Sequence, residues 1–557
     1  MDRRIRQVAG LITMLILAVT VSAGWIQGIK NEEIGANEPE VNGQVARNQF
    51  RIYQECRWER GRILSIDGQT LAESVRAPAG RRCLYERRYP EEELAAHIVG
   101  NVSLYYPKSG LEAEYNGSLV GEAAPAEDWG DLFEKRPRIG NTVISTIDTR
   151  LQREALKALD GRNGGVVAMN PKTGAVYVAA SNPSYDPNPL SSHNRQVAEA
   201  AYCELGQGYQ KLSDGTERKD ENGERVRCEN PAAPLTSAAL ASRRPPGSTF
   251  KVVTAAAALE SGKYNPDTQT KGGASYVPPG ESSRFPINNY GAGSCGGTLA
   301  NALRVSCNTS FAQIAVDVGA ERLYSTAAAM GLTQGTEEDS FIGCESGKSS
   351  DIGGTRTACL PREFRSGDRV ESLETAGFRA RAGFGQWVIQ ASPYGMAQVA
   401  ATVANGGFVP KPRFAERVID RRGDVVEEVR TGIGASALAP EAASQLAGMM
   451  RGVVTGGTAS GAFGGFKVPA AGKTGTADQP TCAADEEAVF GAGCERLAHA
   501  WFMAFAPYED PTIAIAVLIE RGGGRAQATG GRVAAPVARQ VLDAFFKLYP
   551  ALAGGKD

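Results

Sequence analysis

The chain has 557 residues, which is too long for one ordinary domain and predicts two or three. Its 60 Lys and Arg residues balance 62 Asp and Glu residues, whereas a nucleic-acid-binding domain needs a basic surplus, so no nucleic-acid partner is expected. A hydrophobic share of 42% is enough to fill a substantial core.

The N-terminus has the pattern of a membrane anchor. Residues 1–7 contain three arginines, and residues 8–29 contain no charged residue. A run of about 20 apolar residues can cross a bilayer as a helix. Because the arginines precede this run and Glu32 and Glu33 follow it, we predict a cytoplasmic tail at 1–7 and a single-pass anchor at 8–29, with the catalytic domain extracytoplasmic. Residues 21–23 resemble a cleavage site, so a cleaved signal peptide is the alternative.

The cysteines agree with export from the cytoplasm. Their number is ten, and none of them forms the C-x-x-C spacing of a zinc or redox site. An even number of cysteines outside the cytoplasm is typical of disulfide bonds, and scattered reduced cysteines are the alternative. In chain order they form five neighbouring candidate pairs: Cys56 and Cys83, Cys203 and Cys228, Cys295 and Cys307, Cys344 and Cys359, Cys482 and Cys494.

Residues 31–163 form a polar zone with short hydrophobic runs. The segment 61–68 ends in Asp-Gly, which predicts a hairpin turn between two strands. At the end of the zone, residues 149–159 place apolar side chains at helical spacing, which predicts a helix there. We interpret 31–163 as an elongated, β-rich pedestal or dimerisation-type domain that precedes the larger domain.

Residues 164–557 have the pattern of a large α+β domain. The domain opens with a predicted hairpin at 164–180, and two further strands are predicted at 499–507 and 512–520. Strands at both ends with helices between them favour helices packed on one mostly antiparallel sheet. Helical spacing occurs at Ser248–Leu259, Thr298–Val318, Pro393–Ala404 and Pro440–Val453. Polar insertions at 203–232, 334–370 and 478–498 each contain one cysteine pair.

Ser248 and Lys251 stand where two prolines precede an apolar helical run. They are three residues apart, so the amine lies over the same helix face as the hydroxyl. A serine hydroxyl needs a base within hydrogen-bond distance, and a lysine is a base only when burial or nearby positive charge lowers its pKa. Ser248 is the only serine in the chain with a lysine three residues later. The alternative is a capping serine beside a surface lysine.

Ser306 and Asn308 lie inside the predicted helix 298–318. A hydroxyl and an amide two residues apart on a helix point about 200° away from each other. The two side chains can therefore share a site only if the helix ends or bends there. On its own this triplet predicts little.

A third motif precedes the two C-terminal strands. Lys473, Thr474 and Thr476 place an ammonium group and two hydroxyls on an edge that a carboxylate can reach. Gly475 leaves the backbone open to a close ligand. Residues 172–174 repeat the letters K-T-G, but they lie in a predicted hairpin turn before the serine motif, so we interpret them as structural.

In this order, the three motifs match the S-x-x-K, S-x-N and K-T-G set of penicillin-binding proteins. The chain resembles the class B, monofunctional penicillin-binding proteins, which are peptidoglycan D,D-transpeptidases, and is most similar to their actinobacterial PbpA type. Supporting segments are 60–72, 110–121, 145–156, 181–194, 304–313, 393–407 and 499–507. The three insertions are not covered, and Trp387 stands where relatives have a small or acidic residue.

The resemblance implies a role for each motif residue. Ser248 attacks the bond between the two terminal D-alanines of a stem peptide, and Lys251 takes its proton. Ser306 relays a proton to the leaving group, and Asn308 orients the donor. The terminal carboxylate is held by Lys473, Thr474 and Thr476, next to Gly475. The N–H groups of Ser248 and Thr476 form the oxyanion hole.

Cofactors and partners follow from the same resemblance. No cofactor and no metal are expected. Peptidoglycan stem peptides are the substrates, and β-lactams are inhibitors that trap Ser248. Since no glycan-polymerising domain fits before residue 164, a membrane glycosyltransferase of the SEDS type is the expected partner. The sequence does not distinguish a role in division from one in elongation.

Other activities fit the sequence less well or remain open. A class A β-lactamase needs an E-x-x-x-N pattern, but Ala401 stands four residues before Asn405, the one asparagine downstream of Asn308. A serine–histidine hydrolase is disfavoured, because no G-x-S-x-G surrounds Ser248. A D,D-carboxypeptidase and a non-catalytic penicillin-binding sensor or scaffold remain alternatives.

Overall fold

The computed structural model describes most of the chain from residue 55 onwards. The described ranges are 55–78, 83–121, 139–212, 216–332, 369–386, 389–478, 497–523 and 528–554, with isolated pieces at 14, 40–41, 44–45, 358–359 and 363–366. The predicted anchor at 8–29 and the divergent Trp387 lie outside these ranges, Met14 excepted. Within them, no helix combines the length and apolarity required to cross a bilayer.

An antiparallel sheet, here called the central sheet, organises the larger domain. In the described chain it has five strands, and every neighbouring pair is antiparallel. The predicted opening hairpin and the two predicted C-terminal strands all belong to it, so these predictions are confirmed. In spatial order its strands are Ala471–Asp478, Ala498–Ala506, Ile513–Ile519, Gly164–Met169 and Val176–Asn182.

Helices cover both faces of the central sheet. All seven residues of Ile513–Ile519 are completely buried, which requires cover on each face. The helices Pro393–Ala404 and Ala534–Leu548 both pack on this strand, and Thr149–Leu159 packs on Val176–Asn182. The strand Ala471–Asp478 remains at the edge, so one side of its backbone faces away from the sheet.

A second sheet, here called the pedestal sheet, joins the N-terminal zone to the larger domain. The Asp-Gly hairpin prediction is confirmed, because Ile63–Leu64 pairs antiparallel with Thr70–Arg76. Two strands from beyond residue 410 complete this sheet, which the sequence did not predict. In spatial order its strands are Val425–Glu428, Ala415–Ile419, Thr142–Ser145, Ile63–Leu64, Thr70–Arg76 and Tyr85–Arg88.

A buried carboxylate holds the pedestal together. Glu112 is fully buried and accepts hydrogen bonds from Arg60 Nε and Arg87 Nε, both at 2.6 Å. Burial raises the pKa of this carboxyl, but the attraction of Arg87 and Arg60 outweighs burial and leaves it below its usual value of 4.5. The two guanidinium groups also donate to backbone carbonyls of Glu112 and Gly61. Residues 60 to 112 are therefore tied together by charge as well as by the sheet.

The predicted helix Thr298–Val318 is wrong as one continuous element. The chain forms Leu299–Arg304 and then Asn308–Val318, with a break at residues 305–307. The other helix predictions hold with small differences. The helix Pro440–Gly456 ends three residues later than predicted. The helix predicted from Ser248 begins as a 3-10 turn, Gly247–Phe250, and continues as the α-helix Lys251–Glu260. The pattern around 305–307 stays apolar at helical spacing, so periodicity alone cannot show the break.

Three of the five predicted cysteine pairs are bonded. The Cα atoms are 5.0 Å apart in Cys56–Cys83, 5.1 Å in Cys203–Cys228 and 5.7 Å in Cys295–Cys307. The pairs at 344 and 359 and at 482 and 494 lie outside the described side chains. The insertion at 203–232 is thus closed at its base by a disulfide.

The remaining elements are short or peripheral. The helices are Ala96–Val99, Gly110–Glu114, Asn116–Val120, Asn188–Ser191, Arg195–Glu204, Ala320–Ala329, Ala376–Ala382 and Ser460–Phe463, with 3-10 turns at Glu92–Leu94, Tyr290–Ala292 and Pro550–Ala553. The strands are Glu40–Val41, Gln44–Val45, Gln269–Gly273, Ser275–Tyr276, Ile287–Asn288, Cys295–Thr298, Ala358–Cys359, Glu363–Ser366, Arg369–Ser372, Gln390–Ala391, Phe408–Pro410 and Ile433–Ser436.

Candidate active site

Ser248 lies in the 3-10 turn Gly247–Phe250, which leads directly into the helix Lys251–Glu260. The serine is partly exposed, whereas its neighbours Gly247 and Thr249 are buried. Its side chain therefore reaches an open cleft from a turn that is itself fixed in the core. The prediction that Ser248 stands at a helix start agrees with this geometry.

Close backbone contacts hold this turn against the edge strand of the central sheet. Gly247 has a φ of 53°, and a Cβ at this position would lie 2.4 Å from the Thr476 carbonyl oxygen. A Cβ at Gly475 would lie 2.8 Å from the Pro246 carbonyl oxygen. Both contacts are shorter than a side chain permits, so glycine is required at each position. The Ser248 turn and the Thr476 backbone are therefore immediate neighbours.

Lys251 is completely buried beneath the cleft. Its Nζ lies 2.7 Å from the Ser306 carbonyl oxygen, 2.7 Å from Asn308 Oδ1 and 3.1 Å from Ser306 Oγ. Burial lowers the pKa of Lys251 well below its usual value, and the positive charge of Lys473 lowers it further. A buried lysine with this environment can be neutral near pH 7 and can act as a base.

Ser306 occupies the break between the two helices. Its φ is 61°, a left-handed conformation that is uncommon for a residue with a Cβ. The turn brings the Ser306 hydroxyl and the Asn308 amide to the same amine, although a continuous helix would have separated them. The condition set by the sequence, that the helix end or bend here, is thus met. Strain of this kind is common at functional sites.

Lys473 approaches the same hydroxyl from the edge strand. Its Nζ lies 2.9 Å from Ser306 Oγ and 2.8 Å from the Thr474 carbonyl oxygen. The side chain is completely buried, and burial lowers the pKa of Lys473 to about 7. Ser306 Oγ is therefore shared between two buried lysine amines, and the pKa of each is below its usual value.

The two lysines and Ser306 form a continuous path for a proton. When Lys251 is neutral, its two hydrogens satisfy the two carbonyl-type oxygens of Ser306 and Asn308, and its lone pair can accept from the Ser306 hydroxyl. When Lys251 is protonated, its three hydrogens match three acceptors. The arrangement is thus compatible with the base both before and after it takes a proton.

The edge strand presents the third motif to the cleft. The Thr476 carbonyl points away from the central sheet and accepts a hydrogen bond from Gln386 Nε2 at 3.2 Å. In an antiparallel strand the N–H and C=O of one residue point the same way, so the Thr476 N–H also points to the cleft. Thr474 is buried, with its hydroxyl oxygen 2.5 Å from that of Thr458.

One cleft of about 950 Å³ joins the predicted residues. The six predicted residues at its wall are Ser248, Ser306, Asn308, Thr474, Gly475 and Thr476. Lys251 and Lys473 lie beneath them, within hydrogen-bond distance of Ser306. The structure thus brings together all eight motif residues predicted from the sequence.

Sequence reasoning missed several residues of this cleft. Gln386 and Thr458 reach it from segments outside the motifs, and Asn289 and Tyr290 also form part of its wall. The Asn289 amide accepts from the Thr309 N–H at 3.0 Å and donates to two backbone carbonyls, which fixes that wall. These positions have no local signature, because only the tertiary fold brings them to the motifs.

The repeated K-T-G that we interpret as structural and the buried His499 do not line this cleft. Lys172, in the repeated K-T-G, pairs with Asp510 on the surface. His499 is buried on Ala498–Ala506, where its Nδ1 accepts from the Arg521 N–H at 3.4 Å, and burial lowers its pKa to about 4. In the described ranges, no group of three or more His, Cys, Asp or Glu side chains could hold a metal ion.

Two known protein families match most of the chain. The penicillin binding protein transpeptidase domain matches residues 164–543. The penicillin binding protein A dimerisation domain matches residues 60–143. Together these matches include every motif residue of the cleft and most of the pedestal sheet.

Named peptidoglycan D,D-transpeptidases are similar to this chain, two of them over almost its full length. The peptidoglycan D,D-transpeptidase PbpA of Mycobacterium tuberculosis is 31% identical over 559 residues, covering 98% of this chain and 99% of that protein. PbpA of Mycolicibacterium smegmatis is 30% identical over 555 residues with the same coverage. The peptidoglycan D,D-transpeptidase MrdA of Escherichia coli is 26% identical over 503 residues, covering 82% of this chain and 71% of that protein.

Solved structures share the fold. The ceftriaxone acyl-enzyme complex of penicillin-binding protein A from M. tuberculosis has a TM-score of 0.69 and 31% identity, covering 88% of this chain and 99% of that chain. The penicillin G acyl-enzyme complex of the same protein has a TM-score of 0.68 and 32% identity, covering 88% and 100%. In both, a β-lactam is covalently attached to the similar protein.

Proposed function

The chain belongs to the penicillin-binding protein transpeptidase family, and we propose from its cleft that it is a peptidoglycan D,D-transpeptidase acting through a serine acyl-enzyme. It cross-links stem peptides in cell wall synthesis and is inhibited by β-lactams. The observation that carries this proposal is the hydrogen-bonded series Lys473, Ser306 and Lys251 beneath the partly exposed Ser248. Such a series supplies both a base for the nucleophile and an acid for the leaving group.

Acylation begins when the terminal carboxylate of the donor peptide meets Lys473, Thr474 and Thr476. The scissile carbonyl oxygen then lies between the N–H groups of Ser248 and Thr476, where negative charge develops. Ser248 Oγ bonds to the carbonyl carbon as the lone pair of Lys251 turns from Ser306 to take the hydroxyl proton.

The tetrahedral intermediate collapses by breaking the bond to the terminal D-alanine. Ser306 gives its proton to the leaving amine and is reprotonated by Lys251, whose ammonium form already has the Ser306 hydroxyl at 3.1 Å. Asn308 keeps the lysine in place through its 2.7 Å contact and orients the donor. The products of this half-reaction are free D-alanine and a Ser248 ester.

In the second half-reaction, an amine of another stem peptide attacks the ester. A new amide forms, the bond to Ser248 Oγ breaks, and the proton lost by the amine returns to the serine along the same path. Water in place of the amine would give a D,D-carboxypeptidase, which uses the same groups.

The test uses the full-length chain in detergent with a labelled stem-peptide donor and an amine acceptor. Mass spectrometry should find a donor–acceptor amide, free D-alanine and, with benzylpenicillin, one adduct on the peptide that contains Ser248. Hydrolysed donor without amide would identify a carboxypeptidase. Penicillin acylation with no reaction of the donor would identify a sensor or scaffold.

We further propose that the chain is a single-pass membrane protein whose catalytic domain is extracytoplasmic. The uncharged run 8–29 after an arginine-rich start supports the orientation. The three disulfide bonds are those expected of an oxidising compartment. Protease added to intact spheroplasts should digest an epitope tag at the C-terminus, whereas a tag before residue 8 should survive. Protection of both tags would contradict this orientation.

A SEDS-type glycosyltransferase is the partner that we propose for this chain. The transpeptidase cleft needs glycan strands, and the pedestal and anchor are the parts available for a membrane partner. Replacing residues 8–29 with an unrelated anchor should weaken co-purification with the glycosyltransferase. Unchanged co-purification and wall synthesis would exclude the anchor from that contact.

A further inference from the structure

Thr458 lies outside the three motifs but contacts one of them. It follows the helix Pro440–Gly456 and lines the same cleft as Ser248 and Thr476. Its Oγ1 is 2.5 Å from Thr474 Oγ1, so the two hydroxyls share a hydrogen bond. Thr474 itself is 6% exposed, which leaves its hydroxyl few other partners.

The backbone of Thr458 is fixed by two other segments of the cleft. Its N–H donates to the Arg304 carbonyl at 3.4 Å, and the Arg304 guanidinium donates to the Gly456 carbonyl at 2.7 Å. On the opposite side, a Cβ at Gly531 would lie 2.3 Å from the Thr458 carbonyl oxygen. A larger residue at 531 would therefore push the segments apart, and the Thr458 hydroxyl reaches Thr474 from a fixed position.

The direction of the shared hydrogen bond has a chemical consequence. A hydroxyl has one hydrogen and can accept through its oxygen at the same time. If Thr458 donates to Thr474, the Thr474 hydrogen remains available to the cleft. In the opposite direction that hydrogen is used inside the protein. A carboxylate only accepts hydrogen bonds, so its presence selects the first direction.

We propose that Thr458 is a positioning residue for carboxylate recognition: it donates to Thr474 Oγ1 and thereby turns the Thr474 hydrogen toward the substrate's terminal carboxylate. This proposal rests on the proposed function of the cleft. A hydrogen bond that only stabilises the packing of the 456–458 loop on the edge strand would give the same contact. The two roles differ because only the positioning role depends on whether the ligand carries a carboxylate.

The experiment compares acylation of the full-length chain by benzylpenicillin and by its methyl ester, which lacks the free carboxylate. Thr458→Val keeps the shape of the side chain and removes the donor. It should lower the second-order acylation rate about 3- to 10-fold for the acid and less than about 2-fold for the ester, as expected for one neutral hydrogen bond. Thr458→Ser keeps the donor and should restore the preference for the acid.

Thr455→Val is the matched control, because the Thr455 hydroxyl is exposed and donates to the Arg451 carbonyl. It should change neither rate. Equal losses on acid and ester in Thr458→Val, or no loss on either, would overturn the positioning role. If neither benzylpenicillin nor its methyl ester acylated the wild-type protein, the proposed function itself would be overturned. Thermal unfolding of Thr458→Ser and Thr458→Val checks that both variants fold.

Discussion

The Lys251 amine contacts Ser306 at two atoms, 2.7 Å from its carbonyl oxygen and 3.1 Å from its hydroxyl oxygen. The carbonyl contact fixes the amine, and the hydroxyl contact gives the proton a route. Ser306 can present both atoms because its left-handed backbone ends one helix and starts the next. The base is therefore held by the same residue that passes its proton on.

The first prediction concerns Lys251→Arg. A guanidinium keeps the positive charge but does not deprotonate at working pH, even in a buried site such as that of Lys251. The second-order rate of acylation by benzylpenicillin should fall by more than the roughly 10²–10⁴-fold of one general base. Lys172→Arg, on the exposed copy of K-T-G, should leave the rate unchanged. Near-normal acylation by Lys251→Arg would exclude its role as the base.

The second prediction concerns pH. Acylation needs neutral Lys251 and favours charged Lys473, so the second-order rate should rise as Lys251 loses its proton and fall as Lys473 does. The falling limb should lie near pH 7, since burial lowers the pKa of Lys473 to about 7. The pH profile of the second-order rate reports the free enzyme.

Lys473→Gln tests the coupling of the two amines. Because the charge of Lys473 lowers the pKa of Lys251, its removal should move the rising limb to higher pH. The falling limb assigned to Lys473 should disappear. If the rising limb keeps its position in Lys473→Gln, the charge of Lys473 does not set the pKa of the base.

The cleft was predictable where chemistry depends on neighbours in sequence. Ser248 and Lys251 are three residues apart, so their spacing placed them on one helix face. That the three motifs share one site was indicated by their match to a known set, not by spacing. Periodicity did not predict the break at Ser306, because apolar spacing continues through residues 305–307, although a shared site for Ser306 and Asn308 required one. Contacts such as Thr458 with Thr474 depend on the fold, since no local pattern marks them.

In the fold, too, pairings between neighbours in sequence were predictable and pairings between distant segments were not. The strands Gly164–Met169 and Val176–Asn182 are joined by a short turn, and their pairing was predicted from the sequence. The strand Ala415–Ile419 pairs with Thr142–Ser145 across roughly half of the chain. Neither segment carries a sequence pattern that identifies the other as its pairing partner, because strand pairing at such separation is decided by the packing of the whole molecule.

The third prediction concerns the disulfide between Cys295 and Cys307, whose second cysteine separates Ser306 from Asn308. Replacing both cysteines with serine should lower the free energy of unfolding by about 3 kcal/mol, because the unfolded chain regains the entropy that the closed loop had removed. It should also slow acylation, because Cys295 lines the cleft and the loop supports its wall.

The matched control is the double serine variant of Cys203 and Cys228, a pair in the insertion and absent from the described cleft wall. It should lose comparable stability and keep its acylation rate. Chemical denaturation and penicillin acylation measure the two effects separately. Equal acylation by both double variants would show that the Cys295–Cys307 bond stabilises the fold without shaping the site.

The fourth prediction concerns Glu112→Gln in the pedestal. Removing the carboxylate leaves two buried guanidinium groups without their counter-ion, which typically costs about 3–5 kcal/mol. The pKa of Glu112 is below 4.5 in the folded protein, so its stabilisation is present above pH 4.5 and is lost as the pH falls through the lower, folded value. The difference in melting temperature between wild type and Glu112→Gln should therefore shrink on acidification. A constant difference down to pH 3 would contradict this role.

The central claim is that Ser248 forms an acyl-enzyme that an amine resolves into a cross-link. The most direct measurement is mass spectrometry of the full-length chain with a labelled stem-peptide donor and an amine acceptor, for wild type and Ser248→Ala. The wild type should give a donor–acceptor amide and a transient donor ester on Ser248, and Ser248→Ala should give neither. An amide formed by Ser248→Ala, or none formed by a wild type that penicillin acylates, would contradict it.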